Sequence, residues 1–430
     1  MVTNTVRVPQ MAFFGDIEVE LAFPDSWEVS TRAMPGHDLA PLTDDELRAA
    51  LASPIGTTPL RELARGRREA VIICDDISRP TPIDRLWPVV VEELHAAGIP
   101  DARIRIIVAV GMHGAHSRED FRRKLGEEAL RRFPVFNHNP FGNCTELGLT
   151  RRGTPVELNN EVLACDLRIG IGAIIPHGFA GYGGGPKIIL PGVVSARTIS
   201  ANHGPVLRTI REEGQGDTLA PGHVANVVWR DIAETARIAG LDFKVDAILN
   251  GRRGVVRLFA GDCVEEWHAG VRAAEAIYKT APALDANVVV ANGYGKGNEV
   301  AIAAGANHIG AGVEKDLVVI AMCPQGQVVH YLYGDFGDHC PGGLAPRPLA
   351  GDRRRFPPGI RRMILVTPYP ELSAWRLYGS EGEQYYQVES WAEALRLLTA
   401  WHPEGARAAV YPDLTVQYLD PVAARAASGA

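Results

Sequence analysis

Apolar positions along this chain fall into two spacings. Short unbroken apolar runs predict strands buried on both faces: "VIIC" within 69–76, "RIRIIVAVGMH" and "DLRIGIGAII". Between the first two runs, "IDRLWPVVVEELHAAG" has helical spacing. Thr81 and Pro82 open that helix, and Gly98 and Pro100 close it. Ser117, with Asp120 three residues on, predicts a cap for the helix "REDFRRKLGEEALRRF". Strand, helix, strand, helix implies a parallel, doubly wound sheet.

The pattern continues with a helix over "TLAPGHVANVVWRDIAETARIAG", a hairpin turning at "NGRRG" and an amphipathic helix over "CVEEWHAGVRAAEAIYKTA". After Pro282 a new strand, "ANVVVANGYG", starts a second α/β series: "DLVVIAMCP", "RRMILVTPY", "SWAEALRLLTAWH" and "RAAVYPD". The first 60 residues read as short strands and a Pro-rich lead. The expected fold is therefore α/β, with two α/β domains, mainly parallel sheets and a cofactor cleft between them. The first domain is expected over 1–280 with the C-terminal tail from about 408 to 430, and the second over 281–407. The segment 334–360, rich in Gly, Pro and Arg, reads as a loop or lid.

Composition narrows the function. At 430 residues the chain is long enough for two cores. Its 44 basic and 51 acidic residues give a net charge of -7, which excludes a basic surface for nucleic acid. No apolar stretch reaches the length of a membrane span, and the N-terminus lacks the pattern of a signal peptide. Six scattered cysteines with no CxxC pair argue against a zinc ribbon and suit a reducing cytoplasm.

In open α/β sheets, ligands bind beyond the carboxyl ends of strands. Polar clusters follow the predicted strands there: "DDISRPTP", "GMHGAH", "IPHGFAGYGGGPKIILPG" and "NGYGKGN". The third is not a P-loop, because Pro186 precedes Lys187 and Ile188 stands where a hydroxyl is needed. "GIGAII" lacks the third glycine of a dinucleotide fingerprint. Glycines that let backbone N–H groups approach an anion remain one reading of the loop, and a tight strand-to-helix turn the other. His177 suits a structural hydrogen bond or an acid/base role. Lys187 suits a snorkelling surface group or a nucleophile of depressed pKa. His203, at the end of the short helix "VSARTISAN", suits a protonated ring at a helix C-terminus. His113 and His116 lie three apart, but no HExxH accompanies them.

Taken together, "DDISRPTP", "VAVGMHGAH", "IPHGFAGYGGGPKIILPGV" and "NHGP" resemble the nickel-pincer-nucleotide-dependent lactate racemase family. The spacing His177–10–Lys187–16–His203 lies inside the matching blocks. The resemblance implies a covalent cofactor, pyridinium-3,5-bisthiocarboxylic acid mononucleotide nickel, held as a thioamide by Lys187. It implies His203 as the protein's nickel ligand, and His113 and His177 as acid/base groups. Asp76 and Arg79 would position cofactor and substrate, Arg79 holding either a substrate carboxylate or the cofactor phosphate. Gly181, Gly183 and Gly184 would let the backbone approach the nucleotide.

The activity implied is racemisation or epimerisation at C2 of a 2-hydroxy acid by reversible hydride transfer, with cofactor-building enzymes as transient partners. The alternative is a non-catalytic nucleotide- or metal-binding module of the same fold. Lactate-specific members carry a Gln and a Lys on a helix after a segment like "NGYG"; here that stretch reads "GKGNEVAIAAGANHIG", without a QxxK pair. Lys296, Asn298 and Glu299 are the candidates for substrate contact, and a substrate other than lactate is expected. Trp375 reads as a core residue or a cover for the cofactor, and His308, His330 and His339 as surface or core residues.

Overall fold

The computed structural model describes residues 4–178, 180–215, 221–222, 224, 226–299, 308–331, 356–371 and 384–428. Most of the segment 334–360, together with His339 and Trp375, lies outside them. The chain divides into two compact units. One comprises residues 39–275 with 329–347, and the other 1–38, 276–328 and 348–430.

The first unit is built on a six-stranded sheet. Its strands are β1 (Ala70–Asp75), β2 (Ile104–Ala109), β3 (Val135–Asn137), β4 (Leu167–Ala173), β5 (Phe243–Leu249) and β6 (Val255–Gly261). Their order is β6-β5-β4-β1-β2-β3. All neighbours are parallel except the hairpin β5–β6, which turns at the expected "NGRRG". Ile72 and Ile73 on β1, like Ile106 and Ile107 on β2, have no exposed surface. Helices cover both faces, so strands this apolar are tolerated only here. Ser117 caps Arg118–Leu125 through the expected box with Asp120.

The second unit holds an all-parallel sheet in the order Tyr385–Val388, Ile360–Val366, Lys315–Ile320, Val288–Asn292, Arg407–Tyr411, Glu28–Thr31. Both sheets have the mainly parallel α/β character expected. The boundaries differ from the expectation at the ends of the chain. Residues 1–38 and the tail after 408 belong with the later unit, because Glu28–Thr31 pairs with Arg407–Tyr411 as an edge strand. The Pro-rich lead also hides a helix, Asp44–Ala52, capped by a box between Thr43 and Glu46. Among the described residues, no helix is long and apolar enough to cross a membrane.

Charge is built into the interior of the first sheet. β5 carries Lys244 and Asp246, both without exposed surface, on the face it shares with Gly170 and Gly172 of β4. A Cβ on Gly170 would lie 2.8 Å from Ile188 Cγ2 and from Lys244 Cδ. The "GIG" of β4 is therefore a space-maker for buried charge. Gly170→Val should cost about 1–3 kcal/mol through overpacking. That corresponds to a fall of several degrees in the calorimetric unfolding midpoint, at roughly 2–4 °C per kcal/mol for a unit of this size.

Candidate active site

Three loops leave the carboxyl ends of neighbouring strands: residues 76–82 after β1, 110–117 after β2 and 174–188 after β4. The first is shaped by Lys124, which is 2 % exposed. Its ammonium lies 2.8 Å from Asp75 Oδ1 and donates to the Arg79 carbonyl at 2.7 Å. Thr81 Oγ1 donates to Asp75 Oδ2 at 2.5 Å.

That loop delivers Asp76 into the site. Asp76 is buried, and its Oδ2 accepts from His113 Nδ1 at 2.5 Å. Its Oδ1 accepts from the Ser78 hydroxyl at 2.5 Å and from the Ser78 N–H at 3.0 Å. His116 Nε2 stands 3.4 Å from Asp76 Oδ2. Burial alone would raise the Asp76 carboxyl, but the His113 and His116 rings outweigh it and hold it well below the usual carboxylate range. The bond at Nδ1 assigns a ring proton to that nitrogen of His113. Arg79 is half-buried, and its Nη1 donates to Ser78 Oγ at 2.8 Å and Ser78 O at 3.2 Å.

The glycine-rich stretch forms a short hairpin, Pro176–His177 against Gly181–Tyr182, followed by a tight turn, Gly185–Ile188, that carries Lys187. His177 Nδ1 accepts from the Ala180 N–H at 3.3 Å. The pattern assigns the ring proton to Nε2, the opposite arrangement to His113. Gly184 and Gly185 have φ of 77° and 54°, and a Cβ on either would clash with buried neighbours. Gly185, which the sequence pattern does not single out, belongs with Gly181, Gly183 and Gly184 in this turn.

His203 lies in a π-helical turn, Asn202–Val206, between the helices Ala196–Ala201 and Leu207–Glu212. Such turns are frequent at functional sites. Asn202 Nδ2 donates to the buried Asp231 at 2.6 Å, and Thr150 and Thr154 donate to the same carboxylate. The expectation of a protonated His203 at a helix C-terminus is corrected. The helix continues through the π turn, and burial, then Lys187 and His330 beside the ring, push its pKa well below the ordinary value. A neutral imidazole is the form that binds a metal.

His330, which the sequence alone places on the surface or in the core, lies at this site. Residues 329–331 pair antiparallel with Met112–Gly114: Gly114 N–H donates to Val329 O at 3.1 Å, and Tyr331 N–H to Met112 O at 2.9 Å. The His330 ring packs edge-on against His113 with centroids 5.1 Å apart.

Residues 14–214 match the lactate racemase N-terminal domain family. Over this stretch, just under half of the chain, the sequence is similar to the lactate racemase family. Lactate racemase from Lactiplantibacillus plantarum is 30% identical over 253 residues, which cover 58% of each chain. Lactate racemase from Thermoanaerobacterium thermosaccharolyticum is 31% identical over 226 residues, covering 51% of this chain and 50% of its own length. The matched stretch thus spans little more than half of these relatives. In fold the likeness is longer. The lactate racemase apoprotein structure from T. thermosaccharolyticum superposes with a TM-score of 0.70, at 21% identity, over 97% of this chain and 100% of that one. A Thermotoga maritima protein structure superposes at 0.64 with 16% identity, over 88% of this chain and 99% of that one.

Lys296, Asn298 and Glu299 belong to the other unit. Lys296 and Asn298 are buried there, and Lys296 Nζ lies 3.1 Å from Glu299 Oε2. Gly295 N–H donates to Asp413 Oδ2 at 2.9 Å, and Lys296 N–H to Thr415 Oγ1 at 3.0 Å. Among the described residues, no group of three or more His, Cys, Asp or Glu side chains is arranged to hold a metal ion.

Asp76→Asn tests the dyad. The substitution should lower the unfolding free energy at pH 7 by about 2–3 kcal/mol, the scale of a hydrogen bond to a charged group. Because the native pKa is depressed, the Asp76 contribution is present above 3.8 and lost as pH falls below it. Denaturant titrations at pH 7 and at a pH below 3.8 should show the gap between variant and wild type closing in acid.

Proposed function

We propose that this chain inverts C2 of a 2-hydroxy acid, as a racemase or epimerase, using a nickel-pincer nucleotide attached at Lys187. The observation that carries the reading is His203 buried beside Lys187, with the Asp76–His113 pair beyond the carboxyl ends of the same sheet. The donor chemistry fits. A neutral imidazole suits nickel alongside sulfur donors, a lysine amine suits a thioamide, and the backbone at Gly181–Gly185 suits close approach of a phosphate.

When bound, this cofactor would supply a hydride acceptor and donor, which avoids placing a carbanion beside a carboxylate. The chain's own residues then handle protons and orientation. His113 Nε2 takes the hydroxyl proton, and Asp76 stabilises the imidazolium that results. His177, entering the step as the imidazolium, returns its Nε2 proton to the oxygen from its own side and is left neutral. Inversion in one direction thus starts with His113 neutral and His177 protonated and ends with the proton exchanged between them. The reverse direction uses the same pair with roles exchanged. Arg79 is proposed to hold a carboxylate or the cofactor phosphate.

The absence of a QxxK pair after "NGYG" supports a substrate other than lactate, with Lys296, Asn298 and Glu299 as the proposed contacts. Loading requires cofactor-building enzymes as transient partners.

Three outcomes are expected of the loaded enzyme. Paired C2 epimers from a panel of 2-hydroxy acids should interconvert without added NAD, with lactate a poor substrate. A C2-deuterated substrate should keep its label in ordinary water. His203→Ala should abolish activity, while His113→Ala and His177→Ala each lower kcat by about 100-fold or more. Loss of the deuterium to solvent would overturn hydride transfer. Cofactor retained without epimerisation of any acid would favour a binding module instead.

A further inference from the structure

Beneath the turn that carries Lys187 lies a set of charged groups with no part in the reaction above. Lys244 and Asp246 on β5 have no exposed surface, and neither has Glu266 on the helix Glu265–Tyr278. Lys244 Nζ meets Asp246 Oδ1 at 2.5 Å. Asp246 Oδ2 accepts the N–H of Gly185, two residues before Lys187. From the helix, Trp267 Nε1–H donates to the Gly183 carbonyl at 2.8 Å and stacks on Trp229 with centroids 4.1 Å apart. The turn is thus gripped at an amide by β5 and at a carbonyl by the helix.

Glu266 sits next to Trp267 in that grip. Neither of its carboxyl oxygens completes a well-aligned hydrogen bond, and the group within its reach is Asp246. Two carboxylates against one ammonium leave an excess negative charge away from water, which is strongly unfavourable. A proton on Glu266 removes the excess and provides an O–H for Asp246.

We propose that Glu266, in its protonated form, and Asp246 are a positioning pair that latches the Gly183–Lys187 turn, and that ionisation of Glu266 releases it. Burial and then Asp246 push the Glu266 carboxyl well above the usual range, with Lys244 opposing. The other titratable groups facing the pair are Asp262 and the Cys263 thiol, both before the helix, the thiol pushed up to about 12 by burial, and Asp75 on β1, which is met by Lys124. Because the native pKa is raised, the latch is closed below the native value and lost as pH rises through it. Its purpose, holding Lys187 for a cofactor, rests on the racemase reading.

The test is hydrogen exchange of the Gly183–Lys187 amides in the full chain without cofactor, from about pH 6 to about pH 9.5, corrected for intrinsic exchange. Wild type should lose about tenfold in protection there as pH rises, while β1 keeps its own. Glu266→Gln, an isostere that stays neutral, should hold the turn protected throughout. Flat wild-type protection would overturn the latch, as would a loss shared with β1 or an identical loss in the Gln variant. An intact latch in a loaded enzyme inactive on every 2-hydroxy acid would sink the racemase reading and leave the latch standing.

Discussion

A carboxylate closed off from water, Asp246, ties the strand framework to the loop that carries the candidate chemistry. Burying a charge is unfavourable unless it is paired and hydrogen-bonded, and Asp246 meets both conditions through Lys244 and the Gly185 N–H. The pairing exists because β4 offers glycine where β5 offers charge. A second buried ion pair, Asp75 with Lys124, plays the same part for the neighbouring loop and so for Asp76 and His113. Each of these two loops therefore hangs from a buried charge pair at the sheet edge, which fixes it more sharply than apolar packing alone would do.

This construction explains the glycines. Their number suggests a phosphate-binding loop or a tight turn, and several are required by crowding. A Cβ on Gly184 would collide with Ile174 and Asp246, and one on Gly185 with Trp267 and the Cys263 carbonyl. The loop is a rigid mount, and any approach of its backbone to a nucleotide starts from that mount.

Much of the fold was legible. The apolar runs of β1, β2 and β4 are long, β-branched and bounded by Pro or Gly, and the Ser117 cap announces its helix. Asp76, His113, His177, Lys187 and His203 stand out in the sequence because each follows a strand or sits in a compact block, and their roles rest on the proposed function. What escaped has physical reasons. The Thr43 capping box was masked by the prolines around it. The role of Gly170 and Gly172 depends on a strand more than 70 residues later in the chain. Glu266 and Trp267 read as an ordinary amphipathic helix, since nothing local says what their face meets. His330 reaches the site through backbone pairing with a segment over 200 residues earlier. The pKa direction of His203 escaped because its burial, and the Lys187 and His330 beside it, come from parts of the chain that local sequence does not connect.

Whether Lys187 and His203 together hold a nickel-bearing nucleotide is tested most directly by the intact mass, peptide map and nickel content of the chain produced alongside cofactor-building enzymes. The expected result is a mass increment mapped to Lys187 and about one nickel per chain, with the nickel lost in His203→Ala. An unmodified, nickel-free chain under loading conditions would contradict it.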